Sequence, residues 1–264
     1  MIDLNKIYNM DCIDGLKQLE DMSVNLIYAD MPYDYFDFRW IDECYRVLDN
    51  DGSIYIQTDF RSVAELKNYL DYKFEKFIFR NWIVWCYRGI ARKAKGFQFN
   101  HDDILFYSKS EIYKWKQPYQ KPSESTLKRW GKYADKNGDI PFTKLTPSMQ
   151  KKGKSMSIRD TRMRDWWEDI SVVGFKEAKN GKLHEFQKPL NLVKRIIDAS
   201  SYSGDTILDP FMGSGTTALA CIDMHRKFIG FEINKKYYKI ASNRIQNRIE
   251  QQEAIDMMMQ PPVG

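Results

Sequence analysis

Residues 206–232 read TILDPFMGSGTTALACIDMHRKFIGFE, and no other stretch limits the possible folds as tightly. A short apolar run at 206–208 predicts a buried strand, the glycine-rich turn follows it, residues 216–224 have helical spacing, and 227–231 predict a second strand. Strand, tight turn, helix and strand in that order describe a βαβ unit, which requires a parallel sheet covered by helices. Gly213 and Gly215 allow the backbone to bend sharply and approach a ligand, and the helix after them directs its free N–H groups at that ligand. The turn is not a phosphate-binding P-loop, because no lysine precedes Thr216, and its glycines lack the spacing of a dinucleotide fingerprint. Asp209 precedes the turn, and Glu232 ends the next strand about 20 residues beyond it. At that separation an acid in such folds accepts the ribose hydroxyls of a nucleotide, so an adenosine-bearing cofactor is expected.

Alternation continues outside this unit. Residues 24–29 read as a buried strand and 41–48 as a helix with Ile41, Cys44, Tyr45 and Leu48 on one face; a turn at 50–52 then feeds a strand at 53–57. Residues 61–70 read as a helix, and 76–87 and 104–107 as strands. Pro189 suits the first turn of a helix to about residue 200, with Leu190, Val193 and Ile197 sharing a face, and a last helix spans about 235–249. Helical segments occur on both sides of the middle of the chain, so the sheet is expected to draw strands from both halves.

The middle itself differs. Between Lys109 and Arg164 there are fifteen Lys and Arg against five Asp and Glu, so the formal charge of +5 on the whole chain masks a segment of +10 and a remainder of −5. The segment is poor in aliphatic residues, rich in turn formers and interspersed with Trp and Tyr. Clustered cations gain from counterion release at phosphates, so a nucleic-acid surface is expected there. Lys128, Arg129, Lys151, Lys152, Lys154, Arg159, Arg162 and Arg164 are its candidate phosphate contacts. The expected organisation is a discontinuous domain of residues 1–108 and 171–250, an inserted recognition region at 109–170 and a tail at 251–264. The N-terminus lacks the apolar run of a signal peptide, and no stretch reaches the apolar length of a membrane span, so a cytoplasmic protein is expected. The four cysteines form no CxxC pair and lie far from the few histidines, which suggests neither a disulfide frame nor a metal site.

A second signature, DMPY at residues 30–33, ends the strand at 24–29. Together DMPY and DPFMGSGTT resemble the amino-group DNA methyltransferases, and the order of tetrapeptide, variable basic region and glycine loop is similar to the β-class arrangement. NMDCIDGLKQLEDMSVNLIYADMPY, FNHDDILFYSKS and HEFQKPLNLVKRII are similar to further blocks of that family. The resemblance covers residues 6–249 apart from the basic segment. It implies a Rossmann-like fold and methyl transfer from S-adenosylmethionine to an exocyclic amine of a flipped-out base in double-stranded DNA. By resemblance the Asp30 carboxylate accepts one amine hydrogen and the Met31 carbonyl the other, Pro32 fixes the turn, and Tyr33 stacks on the base. The resemblance also places Asp209, Pro210, Phe211, Gly213, Ser214, Gly215 and Thr216 around the methionine moiety, with Asp30 beside it and Glu232 on the ribose. Asp11 and Cys12 match a pair near the adenine, and Gln187 and Lys188 a block beside the methionine part.

The family commonly has proline where this chain has Met31. If the residue supplies only a carbonyl, its side chain should matter little, and Met31→Pro should preserve or raise the rate unless the Met31 N–H is hydrogen-bonded. Aspartate at the first position implies adenine N6 as target, since cytosine-N4 relatives mostly carry serine there. A catalytically silent DNA-binding homologue, and an enzyme acting on cytosine N4, RNA or protein, are the alternatives. The resemblance is compatible with a homodimer and with a cognate restriction endonuclease as partner.

Overall fold

The computed structural model describes residues 2–32, 37–87, 95–151, 156–157, 161–172 and 187–259. The first five strands are β1 (Lys6–Tyr8), β2 (Val24–Asp30), β3 (Leu48–Thr58), β4 (Ile78–Cys86) and β5 (His101–Ser108). The short strands β6 (Tyr119–Gln120), β7 (Asp139–Ile140), β8 (Met156–Ser157), β9 (Thr161–Arg162) and β10 (Trp166–Trp167) follow, and then β11 (Thr206–Asp209) and β12 (Lys227–Phe231). The helices are α1 (Cys12–Leu16), α2 (Arg39–Val47), α3 (Val63–Asn68), α4 (Glu124–Trp130), α5 (Pro147–Lys151), α6 (Leu190–Ser200), α7 (Thr216–Asp223) and α8 (Lys235–Met259).

The chain divides into two compact units, residues 1–116 with 165–264, and residues 117–164. In the larger unit eight strands form one sheet in the order β1-β12-β11-β2-β3-β5-β4-β10, so early and late strands lie side by side. Every strand runs the same way except β5, which is antiparallel to both of its neighbours. Both faces of the sheet are covered, and Val24 and the run Leu26, Ile27, Tyr28 and Ala29 of β2 are therefore buried, with Asn25 between them half-buried. Alternate side chains divide between the two faces. Ile27, Ala29, Ile54 and Ile56 join a core with Leu16 of α1, Ile41 and Cys44 of α2 and Leu66 of α3. On the opposite face Tyr55 bonds the Ser200 hydroxyl of α6 at 2.7 Å.

Several expectations require adjustment. The turn at 50–52 is absorbed into β3, because Val24 pairs with Leu48 and Leu26 with Ser53, leaving a bulge on the longer strand. The buried stripe of α6 is Leu192, Val193, Ile196 and Ile197, with Leu190 only half-buried. Helix α8 continues past residue 249 to Met259, into the expected tail. The smaller unit is narrower than 109–170, because the flanks belong to the larger one: the Lys109, Lys114 and Lys116 N–H groups donate to Gly52, Asp51 and Ala199, and β10 pairs with β4. Among the described residues no helix is long and apolar enough to cross a membrane, and no group of His, Cys, Asp and Glu could hold a metal ion.

The smaller unit contains two strand pairs, β6 with β9 and β7 with β8. Its few buried apolar side chains include Ile140 and Leu145. Ser123 caps α4 by accepting from the Thr126 N–H, and Asp135 accepts from the Asn137 and Asp139 N–H groups in the following turn. Lys132 and Lys144 lie over the Tyr133 ring, and Arg129 over Trp130.

Candidate active site

Strand β11 leads through α7 to β12 on one side of it, whereas β2 leads through α2 to β3 on the other. The boundary between β11 and β2 is thus the point where the connections diverge, and ligands in open α/β sheets bind beyond the strand ends there. A cavity of about 630 Å³ lies there, with Asp30, Met31 and Pro32 after β2, Pro210, Phe211 and Gly213 after β11, and Glu232, Ile233 and Asn234 after β12. Met10, Asp11 and Cys12 after β1, with Arg61, Lys188, Phe231 and Tyr237, complete the wall. The volume suits a nucleoside-sized ligand.

The glycine loop is held by its acids. The Phe211 N–H donates to Asp209 Oδ1 at 2.9 Å, and the Thr217 hydroxyl of α7 donates to Asp209 Oδ2. Gly213 has a φ of 54°, and its N–H donates to Glu232 Oε2 at 2.8 Å; the Asn234 N–H donates to Oε1 at 2.7 Å. Gly215 has a φ of 84°, where a side chain would be strained, and an added Cβ would lie 3.1 Å from Ala241 Cβ. Gly230 on β12 leaves room for Met212, whose Cε occupies the space of a Cβ at that position. Phe211 packs edge-on against the Trp40 ring, with centroids 5.2 Å apart, which ties the loop to α2.

Burial pushes the Asp209 carboxyl up to about 7; the Thr217 and Phe211 donors oppose it, and the nearby Asp30 and Glu232 add to it. Burial also raises Glu232, against the Asn234 and Gly213 donors. The Asp30 side chain is 23% exposed, yet its carboxylate lies deep among protein atoms. Burial therefore holds it above the usual carboxylate range, the Lys188 ammonium opposes that rise, and Asp102 reinforces it.

The sequence candidates separate into groups. Asp30, Met31, Pro32, Asp11, Cys12, Lys188, Pro210, Phe211, Gly213 and Glu232 line the cavity. Asp209, Ser214, Thr216 and Gln187 border a smaller pocket of about 30 Å³ that also touches Asp30. The Ser214 hydroxyl accepts from Arg244 Nη1 at 2.9 Å, the Thr216 hydroxyl donates to the Lys188 carbonyl at 3.5 Å, and Gly215 is the N-cap of α7. Asp11 caps α1 by accepting from the Ile13 N–H at 2.8 Å. Burial pushes the adjacent Cys12 thiol up to about 12. Tyr33, Lys152, Lys154 and Arg159 lie outside the described residues. The other basic candidates are all exposed on the smaller unit: Lys128 and Arg129 on α4, Lys151 at the end of α5, Arg162 on β9, and Arg164.

For Met31 the exception of a hydrogen-bonded N–H applies. Its N–H donates to the Gln57 carbonyl at 3.0 Å, and its side chain is 1% exposed within the core. Both the donor and the thioether are therefore in use.

Arg61, Gln57 and Asp102 were not anticipated as site residues. The Tyr28 hydroxyl donates to Gln57 Oε1 at 2.6 Å, Gln57 Nε2 to Asp102 Oδ2 at 2.8 Å, and the Tyr87 hydroxyl to Asp102 Oδ1 at 3.0 Å. Asn234 was also missed, although an asparagine just before KKYY is a cap signal: it accepts from the Lys236 N–H at 2.9 Å.

Fold and site together define an α/β protein that binds a nucleoside-bearing ligand beside a carboxylate at the carboxyl ends of its strands. The DNA methylase family model, which joins N6 and N4 enzymes, matches residues 25–243, and the chain belongs to that family: it is a DNA methyltransferase of the N6/N4 amino group. It is 36% identical over 274 residues to the type II methyltransferase M1.MboII of Moraxella bovis, covering 95% of this chain and 99% of that one. It is 31% identical over 258 residues to the DNA adenine methyltransferase YhdJ of Escherichia coli K12, covering 90% and 82%. Among solved structures the fold is similar to that of M1.HpyAVI, described as its SAM complex, with a TM-score of 0.61 at 24% identity over 90% of this chain and 98% of that one.

Proposed function

We propose that the protein methylates the exocyclic N6 amine of adenine in double-stranded DNA, with S-adenosylmethionine as donor and the target base flipped out of the helix. One observation carries the reading: the Asp30 carboxylate stands in the wall of a nucleoside-sized cavity, across the strand ends from the Glu232 carboxylate and the glycine loop. The residues suit that donor. Met10, Cys12, Phe231 and Ile233 offer an apolar slot for an adenine ring, Glu232 a ribose acceptor, and Gln187 a buried Oε1 without a partner among the described residues. Bound S-adenosylmethionine supplies an electrophilic methyl group on a sulfonium sulfur.

The chain's own contribution is geometric and electrostatic. The lone pair of an exocyclic amine is delocalised into its ring, so the amine is a poor nucleophile until both hydrogens are drawn to acceptors. Asp30 accepts one and the Met31 carbonyl the other, in a crevice that fixes both beforehand. Tyr33 stacks on the base and offsets part of the unstacking cost of a few kcal/mol. Aspartate as the first residue of the tetrapeptide favours adenine, and YhdJ, named for adenine, supports that choice.

Tritium transfer from labelled S-adenosylmethionine to duplex DNA, RNA and protein acceptors, with mass spectrometry of the digested DNA, tests the proposal. N6-methyladenine in DNA is the expected product. N4-methylcytosine would replace adenine by cytosine, and no label in any acceptor would leave a silent binding protein.

The smaller unit carries twelve Lys and Arg against four Asp and Glu, and its described candidates are exposed. We propose it as the DNA-recognition surface. Neutralising Lys151, Lys152 and Lys154 together should reduce the slope of log K against log salt by up to about 3. An unchanged slope in fluorescence-anisotropy titrations would leave the unit without a role in phosphate binding. A homodimer and a cognate endonuclease are the partners the reading allows.

A further inference from the structure

We infer that Lys188 is the positioning residue that keeps Asp30 ionised and aimed at the amine, and that Asp102 sets how much of the Lys188 charge Asp30 receives. The inference rests on the reading of Asp30 as the amine-hydrogen acceptor. It departs from the sequence resemblance, which groups Lys188 with the residues around the cofactor.

The Lys188 ammonium lies 2.9 Å from Asp30 Oδ1 and 3.4 Å from Asp102 Oδ2, and only 7% of its side chain is exposed. The arrangement depends on strand register. Asp30 of β2 pairs with Gln57 of β3, Gln57 with Ile104 of β5, and Asp102 lies two residues before Ile104. Gln57 and Tyr87 each donate to one oxygen of Asp102, and the Tyr28 hydroxyl fixes the Gln57 amide from the other side. Asp102 is thereby clamped by two neutral donors, and the Lys188 ammonium is held between it and Asp30.

One cation thus serves two buried carboxylates. Asp209 lies near enough for Asp30 to disfavour its charge. Arg61, the other cation in the cavity wall among the described residues, is already paired with Asp59 at 2.5 Å. A carboxylate so placed would take up a proton if its counter-ion were removed, because burial and like charge both penalise the ionised form. A protonated Asp30 retains acceptor capacity but loses the charge that draws the amine hydrogen. The adjacent Gln187 behaves differently, since its buried Oε1 lacks a partner among the described residues. Of this pair, Gln187 is left to meet a ligand while Lys188 serves Asp30.

The test is a titration of the Asp30 carboxyl by carbon-13 NMR in the ligand-free protein, with Asp30→Asn assigning the signal. Lys188→Met should raise the midpoint by about 1 to 3 pH units, and Lys188→Arg should restore most of the shift. Asp102→Asn should move it the opposite way, because the ammonium then serves one carboxylate. A merely structural lysine would not give opposite shifts in the two variants. Calorimetry with S-adenosylmethionine should show little change for Lys188→Met. A midpoint unmoved in Lys188→Met, or a loss of cofactor affinity without a shift, would overturn the inference. If Lys188→Met does not fold, Asp102→Asn decides, and an unchanged midpoint there overturns it equally. The titration needs no turnover, so a parent protein that methylates nothing would refute the proposed function while this result is read separately.

Discussion

Asp30→Ala is expected to lower the single-turnover rate of methyl transfer by roughly 10²- to 10⁴-fold while leaving the fold and cofactor affinity nearly intact. On the proposed mechanism the carboxylate polarises the amine and holds neither ligand, so its loss should appear in the chemical step. Folding should tolerate the change, because Lys188 keeps Asp102 as an ion-pair partner. The sign of any stability change follows from linkage. Burial holds Asp30 above its unfolded pKa, so its contribution to stability is fully present below the unfolded value and is lost as pH rises through the folded one. Asp30→Ala should therefore gain stability relative to the parent as pH rises from the unfolded through the folded Asp30 value, and hold that gain above it. Asp30→Asn retains the shape and one acceptor without the charge, and its rate should fall between the two. Tritium transfer in a single turnover, with calorimetry for the cofactor, measures both parts. A rate in Asp30→Ala comparable to the parent's would remove this carboxylate from the mechanism.

Local chemistry made much of the fold and one half of the site legible. Residues 227–231 form the strand their apolar run predicts, and the turn at 209–215 has left-handed glycines at 213 and 215. Asp30 and Glu232 could be picked out because the first ends β2 and the second directly follows β12, two strands whose patterns are visible. Gln57, Asp102 and Lys188 could not be placed in the same way, since they meet Asp30 only through the register of three strands and a helix N-terminus separated by tens of residues. Lys188 adjoins Gln187 in the chain and lines the cavity, but its ion pairs with Asp30 and Asp102 are not visible in any local pattern. The acids of the glycine loop posed a similar problem: their spacing marks a ligand site, yet Asp209 and Glu232 also accept the backbone N–H groups that shape it. Residues 50–52 look like a turn, whereas the bulge in β3 is visible only from its pairing with β2. Helix α8 runs on through EQQEAIDMMM, a stretch without a clear apolar stripe to mark its end.

Met31→Pro brings the two halves of the site into one experiment. The change gives the tetrapeptide the residue that the family resemblance leads one to expect, and on rigidity alone it would favour the enzyme. In this chain it removes a donor from a 3.0 Å bond to the Gln57 carbonyl, worth about 0.5 to 1.5 kcal/mol. It also empties the core space of a side chain that is 1% exposed; large-to-small losses there cost about 2 to 5 kcal/mol, of which the proline ring recovers a part. The sum is a sizeable fraction of the stability of an ordinary domain, and Tm should fall by roughly 6 to 12 °C for a net loss of about 3 kcal/mol. The rate should fall as well, because Gln57 both accepts the Met31 N–H through its backbone and clamps Asp102 through its side chain. Met31→Leu separates the causes, since it preserves the N–H and nearly the volume and should cost less than about 1.5 kcal/mol. Thermal unfolding of both variants decides the matter. A proline variant as stable as the parent would mean that the turn gains from stiffness what it loses in bonding and packing, and a leucine variant as damaged as the proline one would assign the effect to side-chain shape and leave the Met31 N–H without a measurable part.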